Sequence, residues 1–490
     1  MRKALFFFVI GLLSIFEVHA QEINITSLTS LIELISEPNH TFYISTPIDL
    51  KGNTIKIPSG STIVFSEGRL YNGTLIGNDT KIIVDSPFCL GVSMKGTWVS
   101  SNINDLWFDD EFLDNNSIMS NINTLQSDDV KNIIHLYRDY LVDIDNKTFS
   151  AFVLQSNTEL HIHSTISIMP NGNAKYGIIS IIGKTNICVD GGTIIGDVGM
   201  HRYIPNSTNE WGMGINVVAS HNITISNLKV SLCTGDGIYL GGYREDNYGR
   251  FDNACKDILL YNVVCNQNRR QGLSIVHAKD VTIINCQFLN TGEVEFTKPG
   301  HGIDIEPNIS NNRNMSVSDI TILGCKFMGN KGKCLSTAHY ISTDINSNIK
   351  KITIKDSFFD GEITIRSGSF FLDGIRVPNI SVYLSIHNLG DIEIENSTIS
   401  GGLYLHSSVA DKRHPEYTGI LTNFVLSNCH FTNQVKNKGN YILSLSGDMK
   451  RMKRFEFINC DFEQSGSGNK ELVNRRHKSV CVLRNCKFSR

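Results

Sequence analysis

The chain has 490 residues, 19% of them charged, with a net charge of −3. That length supplies a large core, and a near-neutral balance without a basic tail argues against a nucleic-acid partner or a membrane-surface role. No stretch is apolar for long enough to cross a bilayer, so no stable membrane insertion is expected.

The chain opens Met1-Arg-Lys, continues with an apolar run from Ala4 to Phe16, and reaches Val18-His-Ala20 before Gln21. A basic start, a short apolar core and a small residue at the break mark a secretory signal peptide over residues 1–20. The expectation is an exported protein, placed in the periplasm, at the cell surface or outside the cell. Residues 21–100 carry short alternations such as Ile55-Lys-Ile57, Thr62-Ile-Val-Phe65 and Lys81-Ile-Ile-Val84, and read as an N-terminal β-helical lead-in. Residues 101–145 differ in character. They hold Trp107-Phe-Asp-Asp-Glu-Phe112 and the segment Val130–Tyr137, which reads as a helix, so this stretch is expected to be a small, partly helical insertion or cap.

From 146 to 490 one pattern returns. It runs Val281-Thr-Ile-Ile-Asn-Cys-Gln-Phe288, Ile320-Thr-Ile-Leu-Gly-Cys-Lys-Phe327, Ile352-Thr-Ile-Lys-Asp-Ser-Phe-Phe359 and Phe424-Val-Leu-Ser-Asn-Cys-His-Phe431. Further copies start at Ile392, Phe455 and Val480, weaker ones at Ile187, Ile223 and Ile258, and successive starts fall about 23 to 40 residues apart. A period of this size means a solenoid or array, and the period-two alternation within each copy makes it a strand. No copy can bury its apolar side alone, so the copies must stack. The fold class is therefore all-β: a parallel β-helix. The Asn/Asp-Cys/Ser pair closing most strands suits a tight left-handed corner. Of the 12 cysteines, Cys286, Cys325, Cys429, Cys460 and Cys486 sit there, as a buried column of reduced thiols in which one or two bridges remain open. No Cys-x-x-Cys spacing points to zinc.

A second set of strands follows the first by about a dozen residues and aligns on Gly214, Gly237, Gly272 and Gly302. The residues before these glycines are Met213, Asp236, Gln271 and His301; two places after them stand Asn216, Tyr239, Ser274 and Asp304. Alternation sends Ile215, Ile238, Leu273 and Ile303 inward and the other two columns outward. One outer face thereby gathers Trp211, Asp236, Tyr239, Arg269, Arg270, His301, Asp304 and Glu306. Aromatic rings that stack on pyranose faces, with carboxylates and arginines for hydroxyls or acidic groups, suit a polysaccharide or oligosaccharide. Asp304 and Glu306 stand two apart on one strand, with Cα atoms roughly 6.6 Å apart, and Asp236 is two coils away, about 9.6 Å along the axis. Both spacings suit paired carboxyls about a water apart. Taken singly, an outward Asp on a solenoid is most often a solvated turn residue; the case rests on convergence. The polar, aromatic loop Gly241–Asn253 is a further candidate for binding.

These motifs carry a resemblance. The series Glu210-Trp-Gly, Gly235-Asp-Gly-Ile238, Asn268-Arg-Arg-Gln-Gly272 and Gly302-Ile-Asp-Ile-Glu-Pro307 resembles the pectin-lyase-like superfamily of right-handed parallel β-helix proteins, and within it an exported bacterial and phage-borne, polysaccharide-associated group. Gly300-His301-Gly302 is similar to the Gly-His-Gly motif of glycoside hydrolase family 28 polygalacturonases, and Thr234-Gly235-Asp236 loosely echoes their Asn-Thr-Asp. Their paired Asp-Asp coil is replaced by Arg269-Arg270-Gln271, and their Arg-x-Lys motif has no clear match.

Three readings stay open. The first is a glycoside hydrolase in which one of Asp236, Asp304 and Glu306 is general acid and another the base, with Trp211, Tyr239, Arg269, Arg270 and His301 binding substrate and no cofactor or metal. The second is a polysaccharide lyase or uronate epimerase, with Arg270, His301 or Tyr239 as base and calcium held by Asp304 and Glu306. The third is a non-catalytic glycan-binding or adhesin-type protein. Oligomeric state is not specified by the chain.

Overall fold

Phenylalanines that end several of the repeats stack on their counterparts in the next coil. Ring centroids lie 5.1 Å apart from Phe288 to Phe327 and 4.5 Å apart from Phe327 to Phe359; Phe431, Phe462 and Phe488 form a second run at 4.9 and 5.1 Å. The computed structural model that shows this describes residues 22–35, 38–144, 150–242, 253–307, 309–310, 313–337, 349–384, 389–407, 422–433, 443–447, 452–464 and 481–489. The signal-peptide expectation and most of the Gly241–Asn253 loop lie outside the described residues. No helix among the described residues is long and apolar enough to cross a membrane.

The chain divides into two compact units, one running to Val99 with Trp107–Phe112, the other made of Ser100–Leu106 and Leu113 onward. The first holds a seven-stranded sheet with parallel pairs such as Glu22–Ile25 on Thr41–Ile44 and Thr41–Ile44 on Thr62–Phe65. Its short helix, Leu28–Leu34, is capped by Ser27, whose side chain accepts the Ser30 N–H.

The second unit is a parallel β-helix. The strands that open each repeat lie in a 14-stranded sheet, most of the others form a 22-stranded one, and Ile309–Ser310 with Arg313–Asn314 make a small antiparallel pair. Register is strict: Ile215 pairs Ile238, then Leu273, Ile303, Leu335 and Ile363 in successive coils. Every member of that ladder is fully buried, which is the stacking that the isolated repeats require.

The corner residues do more than fill space. Asn227, Asn262, Asn285, Asp356, Asn396, Asn428, Asn459 and Asn485 all have φ between 47° and 54°, the left-handed geometry Asn and Asp tolerate. Exposed amides link coil to coil, as from Asn262 Nδ2 to Asn227 Oδ1 at 2.9 Å. The next residue accepts a backbone N–H from the preceding coil: Cys286 Sγ from Val263 at 3.4 Å, Cys325 Sγ from Cys286 at 3.4 Å, Ser357 Oγ from Cys325 at 3.0 Å. Cysteine and serine alternate here because each provides one small donor and one acceptor. All twelve cysteines are free.

The segment Val130–Tyr137, expected as a helix, contains a strand at Asn132–Leu136. Ile134 and Leu136 point inward while Ile133 and His135 do not, and the strand pairs in register with Thr158–Ile162. Period-two burial prevails over helical spacing here. The helix of this region is Asn115–Leu125, whose N-cap Asp114 accepts the Ser117 N–H at 2.7 Å.

The glycine column that aligns the candidate site has a steric cause. A Cβ on Gly237 would lie 2.7 Å from the Gly272 carbonyl oxygen, and one on Gly272 would lie 2.6 Å from that of Gly302. Each coil presses its backbone against the next, so only glycine fits.

Candidate functional site

The site lies on the strands Trp211–Val218, Asp236–Gly241, Gln271–Ile275 and His301–Ile305 and on the short segments that follow or precede them. Their register sets Asn216, Tyr239, Ser274 and Asp304 in one column and Asp236, Gln271 and His301 in another. Both columns stand on the outer side of the sheet, but the second not by alternation: Asp236 and the inward Ile238 are two apart, and the pattern breaks at the glycine between them, so that Asp236 meets Ser274 Oγ; the columns are not equally open.

Arg270 is the centre. Its Nη1 lies 3.1 Å from Asp236 Oδ2, its Nη2 3.0 Å from Glu306 Oε1 and its Nε 3.4 Å from Glu210 Oε2. One guanidinium thus serves three carboxylates. Asp236 is fully buried beneath it and also accepts from Ser274 Oγ at 2.6 Å. Burial pushes the Asp236 carboxyl up to about 6, although Arg270 and Ser274 pull it down. Asp236 has no access to solvent in this structure and is paired with Arg270.

Asp304 and Glu306 are different in kind. Glu306 Oε1 accepts from Arg270 Nη2 and from Gln271 Nε2 at 3.1 Å, while its Oε2 has no partner among the described residues. Asp304, only 5% exposed, accepts no hydrogen bond among the described residues. Burial, and next the neighbouring Glu306 charge, hold its carboxyl well above the usual carboxylate range, against the pull of Arg270. The strand His301–Ile305 and the residue after it therefore present a carboxyl that burial biases toward its protonated form and, two residues on, a carboxyl hydrogen-bonded by a guanidinium.

His301 is neutral by construction. Its Nδ1 accepts the Lys333 N–H at 2.7 Å, so the ring proton sits on Nε2 and that edge is a donor. Burial and the cations Arg366, Lys333 and Arg270 lower the imidazole to about 4.

Trp211 and Tyr239 form the wall beside this cluster. Trp211 is 43% exposed, its ring 6.3 Å from that of Tyr239 at an angle of 63°, with Lys175 Nζ 6.0 Å from its centroid. With Tyr176, Asn216, Val276 and Met315 they line a groove of about 550 Å³. Arg269 does not join the strip. Its Nη1 donates to the carbonyls of Thr208, Asn209 and Thr234, and its guanidinium stacks 4.5 Å from the Tyr203 ring centroid. It pins the segment leading into Trp211.

The sequence columns missed two groups. Arg366 donates from Nη1 to Ser336 Oγ at 3.0 Å, and Ser336 is the register neighbour of Asp304. Lys333 pairs with Glu362 and donates its N–H to His301. Extending the glycine alignment two coils further would have brought both onto the strip. Arg270 sits between Asp236 and Glu306. Among the described residues no three His, Cys, Asp or Glu side chains are grouped so as to hold a metal ion.

No family model matches the chain. Two curated proteins of Bacillus subtilis are similar to part of it. The SPbeta prophage-derived uncharacterized protein YorA is 30% identical over 219 residues, 43% of this chain and 36% of YorA; the uncharacterized protein YclG is 29% identical over 181 residues, 34% of this chain and 30% of YclG. The chain thus spans about a third of the length of each. Among solved structures it is similar to the A-module of the Azotobacter vinelandii mannuronan C-5 epimerase AlgE6, with TM-score 0.47, 13% identity, and coverage of 73% of this chain and 91% of that one. It is also similar to the tailspike gp49 of Acinetobacter baumannii bacteriophage Fri1, a capsular polysaccharide depolymerase, with TM-score 0.43, 12% identity and coverage of 80% and 63%. An exopolygalacturonase from Thermotoga maritima gives 0.44, 11%, 73% and 84%. None of these scores reaches 0.5, and the fold rests on the strand register given above. The chain folds as a parallel β-helix.

Proposed function

We propose that this protein is an exported glycoside hydrolase that cleaves a polysaccharide by carboxyl acid/base chemistry. The observation that carries the reading is the contrast between Asp304 and Glu306. Asp304, buried and without a hydrogen-bond partner among the described residues, keeps its proton and is the general acid for the leaving oxygen. Glu306, hydrogen-bonded through Oε1 by Arg270 and Gln271 with Oε2 uncommitted, is the base that activates water. Their spacing along one strand, roughly 6.6 Å between Cα atoms, leaves room for that water.

The other residues then have defined parts. Asp236 and Ser274 fix Arg270, and Arg270 fixes Glu306. His301 donates from Nε2 to a sugar hydroxyl. Trp211 and Tyr239 stack on sugar rings along the groove. Arg269 positions the segment that carries Trp211. Export rests on the basic-apolar-small start at residues 1–20.

Proton abstraction next to a uronate carboxylate has less support. Its candidate bases are each committed: Arg270 to three carboxylates, His301 Nδ1 to a backbone N–H, and Tyr239 held well above its ordinary value by burial and by Asp236.

The test is to incubate the protein with a panel of acidic and neutral polysaccharides. Reducing ends and ultraviolet absorbance are followed together in wild type, Asp304→Asn and Glu306→Gln. New reducing ends without absorbance, lost in both variants, are the expected result. An absorbing, unsaturated product would replace this reading with a lyase.

A further inference from the structure

One buried side chain behind the groove touches both halves of the site. Tyr176 lines the groove and is 3% exposed. Its hydroxyl donates to Asp197 Oδ1 at 3.2 Å and accepts from the Thr234 N–H at 3.1 Å and from Thr234 Oγ1 at 2.9 Å. Both the donor and the acceptor sides of the phenol are therefore in use. Asp197 is a fixed anchor. It is 1% exposed, and its Oδ2 accepts from the Asn171 N–H, from Asn171 Nδ2 and from His201 Nδ1.

The ring of Tyr176 does as much as its hydroxyl. Tyr176 pairs in register with Gly212, the residue after Trp211. A Cβ on Gly212 would lie 2.5 Å from the Tyr176 ring and run into Thr234 Oγ1, so the strand is seated directly on the phenol. The Gly212 carbonyl accepts the Gly235 N–H at 2.8 Å, and the Gly235 carbonyl accepts the Arg270 N–H at 3.0 Å. Two paths thus leave Tyr176: through Gly212 to Trp211, and through Thr234 and Gly235 to Asp236 and Arg270. A phenylalanine would fill the same space. What the hydroxyl adds is the acceptor for a buried N–H and the tie to Asp197.

We propose that Tyr176 is a positioning residue that holds the groove wall at Trp211 and the carboxylate cluster at Asp236 and Arg270 in one fixed relation. This rests on the hydrolase reading only for its effect on rate. The positioning itself is read without substrate.

The experiment begins with tryptophan fluorescence. Of the three tryptophans, Trp98 and Trp107 are 2% and 8% exposed and Trp211 43%. Acrylamide quenching therefore reports chiefly on Trp211, and Trp211→Phe supplies the background of the other two. Tyr176→Phe should keep the far-ultraviolet circular dichroism of the wild type and raise the quenching constant of Trp211. Thr234→Val removes one of the bonds to the phenol and should raise it by less. Tyr203→Phe removes a hydroxyl of the neighbouring segment, bonded to the Val198 carbonyl, and should leave it unchanged. An unchanged constant in Tyr176→Phe would overturn the inference. So would an equal rise in Tyr203→Phe, which would mean a general loosening. If Tyr176→Phe does not fold, an unchanged constant in Thr234→Val overturns it instead.

The second path is read by denaturant unfolding of Tyr176→Phe, Arg270→Met and the double variant. The two losses should not add, as expected of residues on one connected network. Strict additivity would overturn this half. On a polysaccharide that the wild type cleaves, Tyr176→Phe should lower kcat and raise KM together, and a rise in KM alone would also overturn the second path. Altered quenching with coupled losses, in a protein that releases no reducing ends, would keep the inference and remove the hydrolase.

Discussion

Arg270 Nη1 lies within 3.2 Å of both carboxylate oxygens of Asp236, and Asp236 is closed to solvent. This buried pair is the footing of the site, because the same guanidinium carries Glu306 and Glu210 on its remaining nitrogens. Removing one partner of a buried pair leaves an uncompensated group, a loss of about 3–5 kcal/mol. Arg270→Met should therefore lower the melting temperature sharply, and Arg270→Lys should recover little of it, since a lysine cannot span three carboxylates. Thermal unfolding followed by circular dichroism checks both.

The protonation of Asp304 gives a pH dependence with a definite sign. Its native carboxyl holds a proton at a pH where the unfolded chain has lost it. Its contribution to stability is therefore full at low pH and is lost as pH rises through its native value. Asn at this position cannot ionise. The melting temperature of Asp304→Asn relative to wild type should climb as pH rises from about 4 towards 8, the ordinary carboxylate range being near 4. A difference that is flat with pH would mean that Asp304 is ionised in the native state.

On the hydrolase reading, the same proton governs the rate. Activity should fall on the alkaline side as Asp304 loses it. Asp304→Asn should lose about 10²–10⁴-fold on polysaccharide. The loss should be smaller on aryl glycosides whose leaving group needs no protonation. Comparing the two substrate classes separates an acid from a residue that only shapes the groove.

The wall of the groove should act on binding. Trp211→Ala removes a half-exposed ring from the groove, which on the proposed reading holds the sugar chain. KM should rise about tenfold with kcat little changed, the mark of an interaction that is equal in ground and transition states.

The corner column makes a prediction about the fold itself. Cys286→Ser retains an acceptor for the Val263 N–H and should be tolerated. Cys286→Ala leaves that buried N–H unpaired and should cost about 1–3 kcal/mol. The comparison of the two by denaturant unfolding distinguishes a hydrogen-bonding corner from mere filling.

The solenoid was readable because its signals are local and repeated. Asn285-Cys286 and Phe288 recur as Asn428-Cys429 and Phe431, and each copy states the same corner and the same stacked ring. The columns holding Tyr239, Ser274 and Asp304 followed from one glycine alignment, whose cause is the 2.6 Å approach at Gly272. What alternation could not give was depth. Asp236 and Asp304 share the outer face, but whether a side chain there meets solvent depends on what folds over it. Arg270 covers Asp236, and nothing in the pattern distinguishes Arg270 from Arg269, which turns to the backbone of Thr208 and Asn209. Asn132–Leu136 was misread for a related reason: it carries a single strand of a coil with none of the corner residues that mark the later repeats.

The most direct test of the account is the joint reading of reducing ends and ultraviolet absorbance on acidic and neutral polysaccharides, in wild type and Asp304→Asn. The account predicts reducing ends without absorbance from wild type and about 10²–10⁴-fold fewer from the variant. Equal release by the two proteins, or an absorbing product, would contradict it.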